Sequence, residues 1–213
     1  MLEVKSFVFS PIQENTYLLY NEKNHGLVVD PGCYFGQERE ELKSFIEKYA
    51  ILPKFLLNTH CHLDHVFGNA FVSQTWNLEL HLHELEKPFL DYAPTSGIKW
   101  GLPFENYKGN LNYIREGDQI RLDDDVLDVI FAPGHSPGHV CFYNKAQGFV
   151  IGGDVLFRQS IGRTDLPGGS LEVLLQSIRI KLFTLPDETV VYSGHGQSTT
   201  IGYEKRNNPF LRD

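Results

Sequence analysis

Six consecutive residues, His60-Cys61-His62-Leu63-Asp64-His65, carry three imidazoles and one carboxylate directly after the apolar run Phe55-Leu56-Leu57. Side chains of this kind, packed this closely, call for a short buried strand that ends in a ligand-rich loop. α/β architectures commonly place their sites at the carboxyl ends of strands. Imidazole nitrogen with carboxylate oxygen suits zinc and neighbouring first-row metals better than calcium or magnesium. A polar loop is the ordinary reading of one histidine, but four candidate ligands in six positions read as a metal site. Alternation along an extended segment turns Cys61 away from His60 and His62.

The rest of the chain supplies a frame for that loop. Residues 2 to 9 and 16 to 21, parted by the turn-forming Ser10-Pro11-Ile12-Gln13-Glu14-Asn15, read as a strand pair, and 26 to 30 as a third strand. Leu42, Phe45, Ile46 and Tyr49 fall at helical spacing between 36 and 50. After the motif come a helix from about 66 to 76 and a strand at 78 to 82. Residues 92 to 110 are rich in Pro, Gly, Asn and aromatics and read as a long loop excursion. Strands return between 111 and 133, at 139 to 143 and at 148 to 152. A helix from 171 to 185, a strand at 189 to 192 and a short helix after 201 complete the order. Asp123-Asp124-Asp125 reads as a solvated turn. His81, His83 and Glu84 read as structural, and His25 and His139 have no supporting constellation.

Length and charge narrow the function. The 213 residues can bury one sizeable core and are read as one domain, 1 to 213. With 19 Lys and Arg against 27 Asp and Glu, the net charge of −8 argues against a nucleic-acid partner. The N-terminal residues do not resemble a secretory signal and no apolar run is long enough for a membrane span, so a cytoplasmic location and no membrane partner are expected. Cys33, Cys61 and Cys141 are odd in number and irregularly spaced, which points to reduced thiols rather than a disulfide framework.

Small residues at the ends of other apolar runs introduce further ligands: Ala132-Pro133-Gly134-His135, Gly152-Gly153-Asp154 and Ser193-Gly194-His195-Gly196, with Val29-Asp30-Pro31-Gly32 earlier. Each alone is only a turn. Together His60, His62, Asp64, His65, His135, Asp154 and His195 are too many for one tetrahedral zinc and about right for two metals sharing a carboxylate. Asp154 is the best bridging candidate, since its two oxygens can each face one ion.

This pattern of His-x-His-x-Asp-His with later Pro-Gly-His, Gly-Gly-Asp and Gly-His-Gly stations resembles the metallo-β-lactamase superfamily, and within it the short glyoxalase II-like metallohydrolases. The resemblance runs from Asp30-Pro31-Gly32 through Ile161-Gly162-Arg163-Thr164-Asp165 to Arg206-Asn207-Asn208-Pro209-Phe210. It implies a single-domain, four-layer αββα sandwich. It also implies that His60, His62 and His135 hold one metal and Asp64, His65 and His195 the other, with Asp154 between them and Asp30 bracing the ligand loop. Two zinc ions are expected, with iron or manganese as alternatives in either position.

The reaction so implied is attack by a metal-bound hydroxide, with Asp64 and His65 as catalytic residues, on a thioester such as a hydroxyacyl-glutathione. A thiolate leaves readily, whereas an amine needs a placed acid that the sequence does not show. No Gly-x-Ser-x-Gly elbow suggests a serine nucleophile. Glyoxalase II proper carries a C-terminal helical extension that grips glutathione, and the resemblance stops short of it. Arg163, Lys205 and Arg206 are the candidate substrate contacts. The Gly-Arg-Thr-Asp segment also resembles persulfide dioxygenases, which need only two His and one Asp on one iron, here His60, His135 and Asp154. Hydrolysis of another ester or lactone is a further alternative, and a non-catalytic binding module is disfavoured because all seven ligands are present.

Overall fold

The computed structural model describes residues 1–212. The chain forms two compact units. The first takes Met1–Tyr113 with Leu122–Asp125, and the second takes Ile114–Arg121 with the chain from Val126 onward.

The first unit is built on a six-stranded sheet of β1 (Glu3–Phe9), β2 (Glu14–Tyr20), β3 (His25–Val29), β4 (Leu52–Leu57), β5 (Leu80–Leu82) and β6 (Leu111–Tyr113), in that spatial order. β1 to β3 are antiparallel, and β3 to β6 run parallel. The crossover from β3 to β4 is helix α1 (Gly36–Lys48), which buries Leu42 and Ile46, four residues apart and so on one face. They join Phe9, Leu18, Val28, Leu56, Leu80 and Leu82 in one core. β4 starts at Leu52, earlier than the run at Phe55 suggested, and so contains Pro53. A register shift between Gly26 and Leu27 of β3 lies opposite that proline, which is the irregularity a strand needs to tolerate a residue without an N–H.

Three further expectations are corrected here. The helix predicted for 66 to 76 is two pieces, α2 (Leu63–Val66) and α3 (Asn69–Trp76), so Asp64 and His65 sit on a helical turn rather than a loop. Gly68 lies at the break, where a Cβ would meet Cys33 Sγ at 2.4 Å and Pro31 O at 2.7 Å. The supposed excursion at 92 to 110 is partly helical: α4 (Lys87–Lys99) follows a 3-10 turn, Glu84–Glu86, and carries Pro94 inside it. Proline cannot donate to the carbonyl four residues back. That carbonyl, Leu90 O, instead accepts from the Asn106 side chain at 2.7 Å. Finally, the acidic turn has partners. Asp123 accepts from Asn21 Nδ2 at 2.8 Å and pairs with His25 Nδ1 at 2.8 Å.

The second unit has its own six-stranded sheet. Its strands are β7 (Gln119–Leu122), β8 (Asp125–Phe131), β9 (Val140–Asn144), β10 (Phe149–Gly153), β13 (Val190–Ser193) and β14 (Thr199–Thr200), in the spatial order β14-β13-β10-β9-β8-β7. Between β10 and β13 lie a small hairpin of β11 (Leu156–Phe157) with β12 (Ser160–Ile161), then helix α5 (Leu171–Ser177) continuing as a π-helical turn to Leu182. Helix α6 (Ile201–Asn207) follows β14. Leu174, Ile178, Leu182 and Ile201 pack with Cys141, Val150, Val155 and Val191 in a second core. Each unit is thus a mixed sheet faced by helices, the α/β class expected. No helix among the described residues is long and apolar enough to cross a membrane.

The Arg206-Asn207-Asn208-Pro209-Phe210 segment has a structural task. Buried Glu204 accepts from Gln159 N at 2.9 Å, from Asn208 Nδ2 at 2.8 Å and from Thr199 Oγ1, while Asn208 Nδ2 also reaches Ser160 O at 2.9 Å. Asn208→Ala leaves these buried acceptors short of a donor, so urea unfolding should show a loss of about 2 kcal/mol. A change within about 0.5 kcal/mol would mean the segment is dispensable to the fold.

Candidate metal centre

In the first unit, β4 delivers the chain at Leu57 to a bend at Asn58-Thr59 that is held by Asp30. Asp30 follows β3 in the left-handed region at φ 48°, a conformation that Asp tolerates better than most residues. Its Oδ1 accepts from Thr59 N at 2.7 Å and Asn58 Nδ2 at 3.2 Å, and its Oδ2 accepts from Thr59 Oγ1 at 2.5 Å. Oδ2 also lies 3.1 Å from His65 Nδ1. Both oxygens of Asp30 accept hydrogen bonds, and one of them clusters with nitrogens of His60 and His65 within 4.8 Å.

These bonds also fix the imidazoles. Because Asp30 oxygens only accept, His65 Nδ1 carries the proton and its Nε2 keeps the lone pair. Thr59 gives its one hydroxyl proton to Asp30, so its lone pair accepts from His60 Nδ1, 3.0 Å away, and His60 too presents Nε2. Carboxylate- or hydroxyl-bonded imidazoles of this kind are the usual state of metal-ligating histidines. The ring of His60 lies 4.8 Å from that of His62 and 4.1 Å from that of His65, centre to centre. His60, Asp64 and His65 are buried and His62 is half-buried.

The second unit presents its ligands in the same manner. His135, after Gly134 at φ 129°, has Nδ1 2.7 Å from the carbonyl of Arg163, which can only accept, so Nδ1 carries the proton and Nε2 again keeps the lone pair. Asp154 follows Gly153, at φ 49° and at the end of β10, and its backbone N–H donates to His139 Nε2 at 3.0 Å. His195 leaves β13 beside the ring of Phe157, whose centre is 6.2 Å away. Asp154 Oδ2 lies 3.5 Å from His135 Nε2 and 3.6 Å from His195 Nε2.

Those separations are informative. They exceed a good hydrogen bond. Yet two ligands each ~2.1 Å from one ion in tetrahedral array are ~3.4 Å apart, close to the His135–Asp154 and His195–Asp154 spacings and to the 3.7 Å between His65 Nε2 and Asp64 Oδ2. The donor atoms therefore fit divalent metal ions.

Several supporting residues were not visible in the sequence. His139, read there as lacking a constellation, is fully buried and holds Asp154. Glu14 and Glu86 are also fully buried: Glu86 Oε2 accepts from Cys61 N at 2.7 Å, and Glu14 Oε1 lies 3.9 Å from His65 Nδ1. Burial pushes the Glu14 carboxyl well above the usual carboxylate range. Burial, then the neighbouring Glu86 charge, push the Cys61 thiol up, and burial raises Cys33 to about 12. Neither is a ready thiolate. The structural reading of His81 and His83 stands: His81 Nδ1 reaches Leu56 O at 3.3 Å, and His83 caps the 3-10 turn by accepting from Leu85 N.

The candidate substrate contacts are all paired; Arg163 and Arg206 are exposed and Lys205 is half-buried. Arg163 grips Asp165 with two 2.7 Å bonds, and Lys205 and Arg206 both reach Asp187, at 2.7 and 3.4 Å.

Comparison with known proteins agrees with this picture. A family model described as the metallo-beta-lactamase superfamily matches residues 10–195. The hydroxyacylglutathione hydrolase GloC of Haemophilus influenzae is 35% identical over 212 residues, covering 99% of this chain and 98% of its own. Among solved structures, the BLEG-1 B3 metallo-beta-lactamase superposes with a TM-score of 0.91 at 37% identity, covering 99% of this chain and 100% of its own. TTHA1623, solved in a di-iron-bound form, does so with a TM-score of 0.88 at 38% identity over 97% and 100%. The fold is therefore the metallo-β-lactamase fold. With the His and Asp stations inside the matched span, this chain belongs to the metallo-β-lactamase superfamily of metal-dependent hydrolases.

Proposed function

We propose that the chain hydrolyses a thioester of the hydroxyacyl-glutathione kind at a centre of two divalent ions. His60, His62 and His135 hold one ion, Asp64, His65 and His195 the other, and Asp154 serves both. The observation that carries this reading is the position of Asp154 Oδ2, with His135 Nε2 at 3.5 Å and His195 Nε2 at 3.6 Å. These two histidines belong to different ligand sets, so one carboxylate is addressed from both. A single iron held by His60, His135 and Asp154 would leave His195 without a task.

When bound, two such ions lower the pKa of water and polarise a carbonyl oxygen. The protein supplies the geometry. Asp30 and Thr59 hold His65 and His60 with Nε2 presented, and Arg163 O does the same for His135. Asp64 and His65 would act as the catalytic pair through the ion they hold, with Asp64 Oδ2 lying 3.7 Å from His65 Nε2. The thiol leaving group, with a reference pKa of about 8.5, departs without a placed acid. Zinc is our choice for both positions, with iron or manganese as competitors. Three buried free cysteines suit a reducing, cytoplasmic setting.

Arg163 is our contact for a substrate carboxylate. At present Asp165 fills that role, and Arg163 lowers the Asp165 pKa to about 2. A depressed folded pKa means the pair is formed above the ordinary value of 3.8 and is lost only as pH falls towards 2, so near neutral pH an incoming carboxylate must displace Asp165. Lys205 and Arg206 would have to be released from Asp187 in the same way.

Elemental analysis of purified protein should find two ions per chain. Thiol release from a panel of hydroxyacyl thioesters should exceed that from simple esters, lactones and a β-lactam, and should vanish on chelation. His65→Ala or His195→Ala should empty mainly one position. One iron per chain with oxygen uptake on glutathione persulfide would overturn the hydrolase reading.

A further inference from the structure

We propose that two buried glutamates far from the motif in sequence are positioning residues, one for each metal. Glu86 sets the His60-Cys61-His62 backbone and Glu14 sets the His65 imidazole. The inference rests on the two-metal reading and deepens it, because it predicts that the two positions can be weakened separately.

Glu86 ends the 3-10 turn and opens α4, and it is fully buried. Burying a carboxylate is unfavourable unless its oxygens are bonded. Its Oε2 accepts the Cys61 N–H at 2.7 Å, a short bond of the charge-assisted kind. That N–H belongs to the peptide joining His60 to Cys61. Fixing its plane fixes the backbone between the two ligands, so His60 and His62 project to one side while Cys61 is packed inward at 1% exposure. The two rings stand at 89° to each other with centres 4.8 Å apart. Without the acceptor, a buried N–H inside the ligand loop would be orphaned.

Glu14 works from the opposite side. It opens β2 and is fully buried. Its Oε2 accepts from Thr16 Oγ1 at 2.8 Å, and Thr16 Oγ1 in turn accepts from Gly32 N at 2.8 Å, tying the carboxylate to the turn after Asp30. Gly32 makes room for it: a Cβ there would lie 2.0 Å from Glu14 Oε2 and 2.7 Å from Asp64 O. Glu14 Oε1 takes no hydrogen bond and faces His65 Nδ1 at 3.9 Å, the same ring edge that Asp30 Oδ2 bonds at 3.1 Å. Glu14 thus backs His65 from the β2 side of the motif.

Titration of metal-free protein with Co2+, followed by its absorption spectrum and by chelator competition, separates the two positions, with His60→Ala and His65→Ala as references for each step. Glu86→Met preserves volume and removes the acceptor. We expect it to weaken the His60 step about 10- to 100-fold, the range for loss of an outer partner, and to leave the His65 step unchanged. Glu14→Met should do the reverse. Glu86→Gln, whose amide oxygen still accepts, should behave as wild type. Far-UV circular dichroism checks the metal-free fold, and if a Met variant does not fold, Glu86→Asp and Glu14→Asp carry the same test with a smaller shift. One Co2+ per wild-type chain would overturn the two-metal reading and this proposal with it. Two per chain, with variants that weaken both steps together or neither, would overturn the positioning roles alone.

Discussion

Asp30→Ala should cost the metal-free protein about 5 kcal/mol and strip it of metal. Four donors converge on this carboxylate: Asn58 Nδ2, Thr59 N, Thr59 Oγ1 and His65 Nδ1. All lie in fully buried residues. Each orphaned donor costs about 1–3 kcal/mol, and neighbours in one network do not add fully. Alanine at φ 48° adds backbone strain of about 1 kcal/mol. A total near 5 kcal/mol is a large share of the 5–15 kcal/mol that typical domains possess. The measurement is urea unfolding of chelated protein, since bound metal would add its own stabilisation. Asp30→Asn is the sharper control. It tolerates the same backbone and still accepts from Thr59 N, but its amide group cannot accept from His65, so it should fold and bind metal poorly. A loss below about 1 kcal/mol for the alanine variant would show that the network is not a stabilising hub.

Gly162→Ala should reduce turnover by more than about 100-fold, the scale on which a 1 Å displacement acts. A Cβ at this position would lie 1.9 Å from Asp154 O and 3.1 Å from His135 Nδ1. The first atom is backbone and cannot swing aside, so either β12 or the Asp154 peptide has to move. Its own residue supplies the oxygen that faces both His135 and His195. Overpacking of this kind costs about 1–3 kcal/mol, so the variant should still fold and lose metal at the Asp154 position. Metal content and turnover measured on the same preparation decide the matter, and wild-type values for both would exclude the steric argument.

The sequence was most legible where residues of unlike chemistry sit side by side. The ligand motif and the Gly-flanked stations at His135, Asp154 and His195 stand out because a polar ligand directly follows an apolar strand. The β3–α1–β4 unit was legible through Leu42 and Ile46 at helical spacing. What escaped notice depends on partners far apart in the chain. Pro94 and Gly97 argued against a helix, and nothing local indicated that Asn106 would take up the carbonyl that Pro94 leaves unbonded. The bracing residues behaved alike: Glu86 meets Cys61 across 25 positions and His139 meets Asp154 across 15, and no spacing rule announces such pairs. A buried carboxylate looks like any surface carboxylate until the fold surrounds it.

The bond from His135 to Arg163 has an evolutionary consequence. The ring is oriented by the Arg163 carbonyl, an atom every amino acid owns, while the guanidinium of that residue points to solvent and Asp165. Residue 163 can therefore change identity without disturbing the acceptor that aims a metal ligand. If Arg163 contacts substrate as proposed, substrate preference and ring orientation meet at one residue but are written in different atoms, leaving the side chain open to drift or redesign while the carbonyl stays in place.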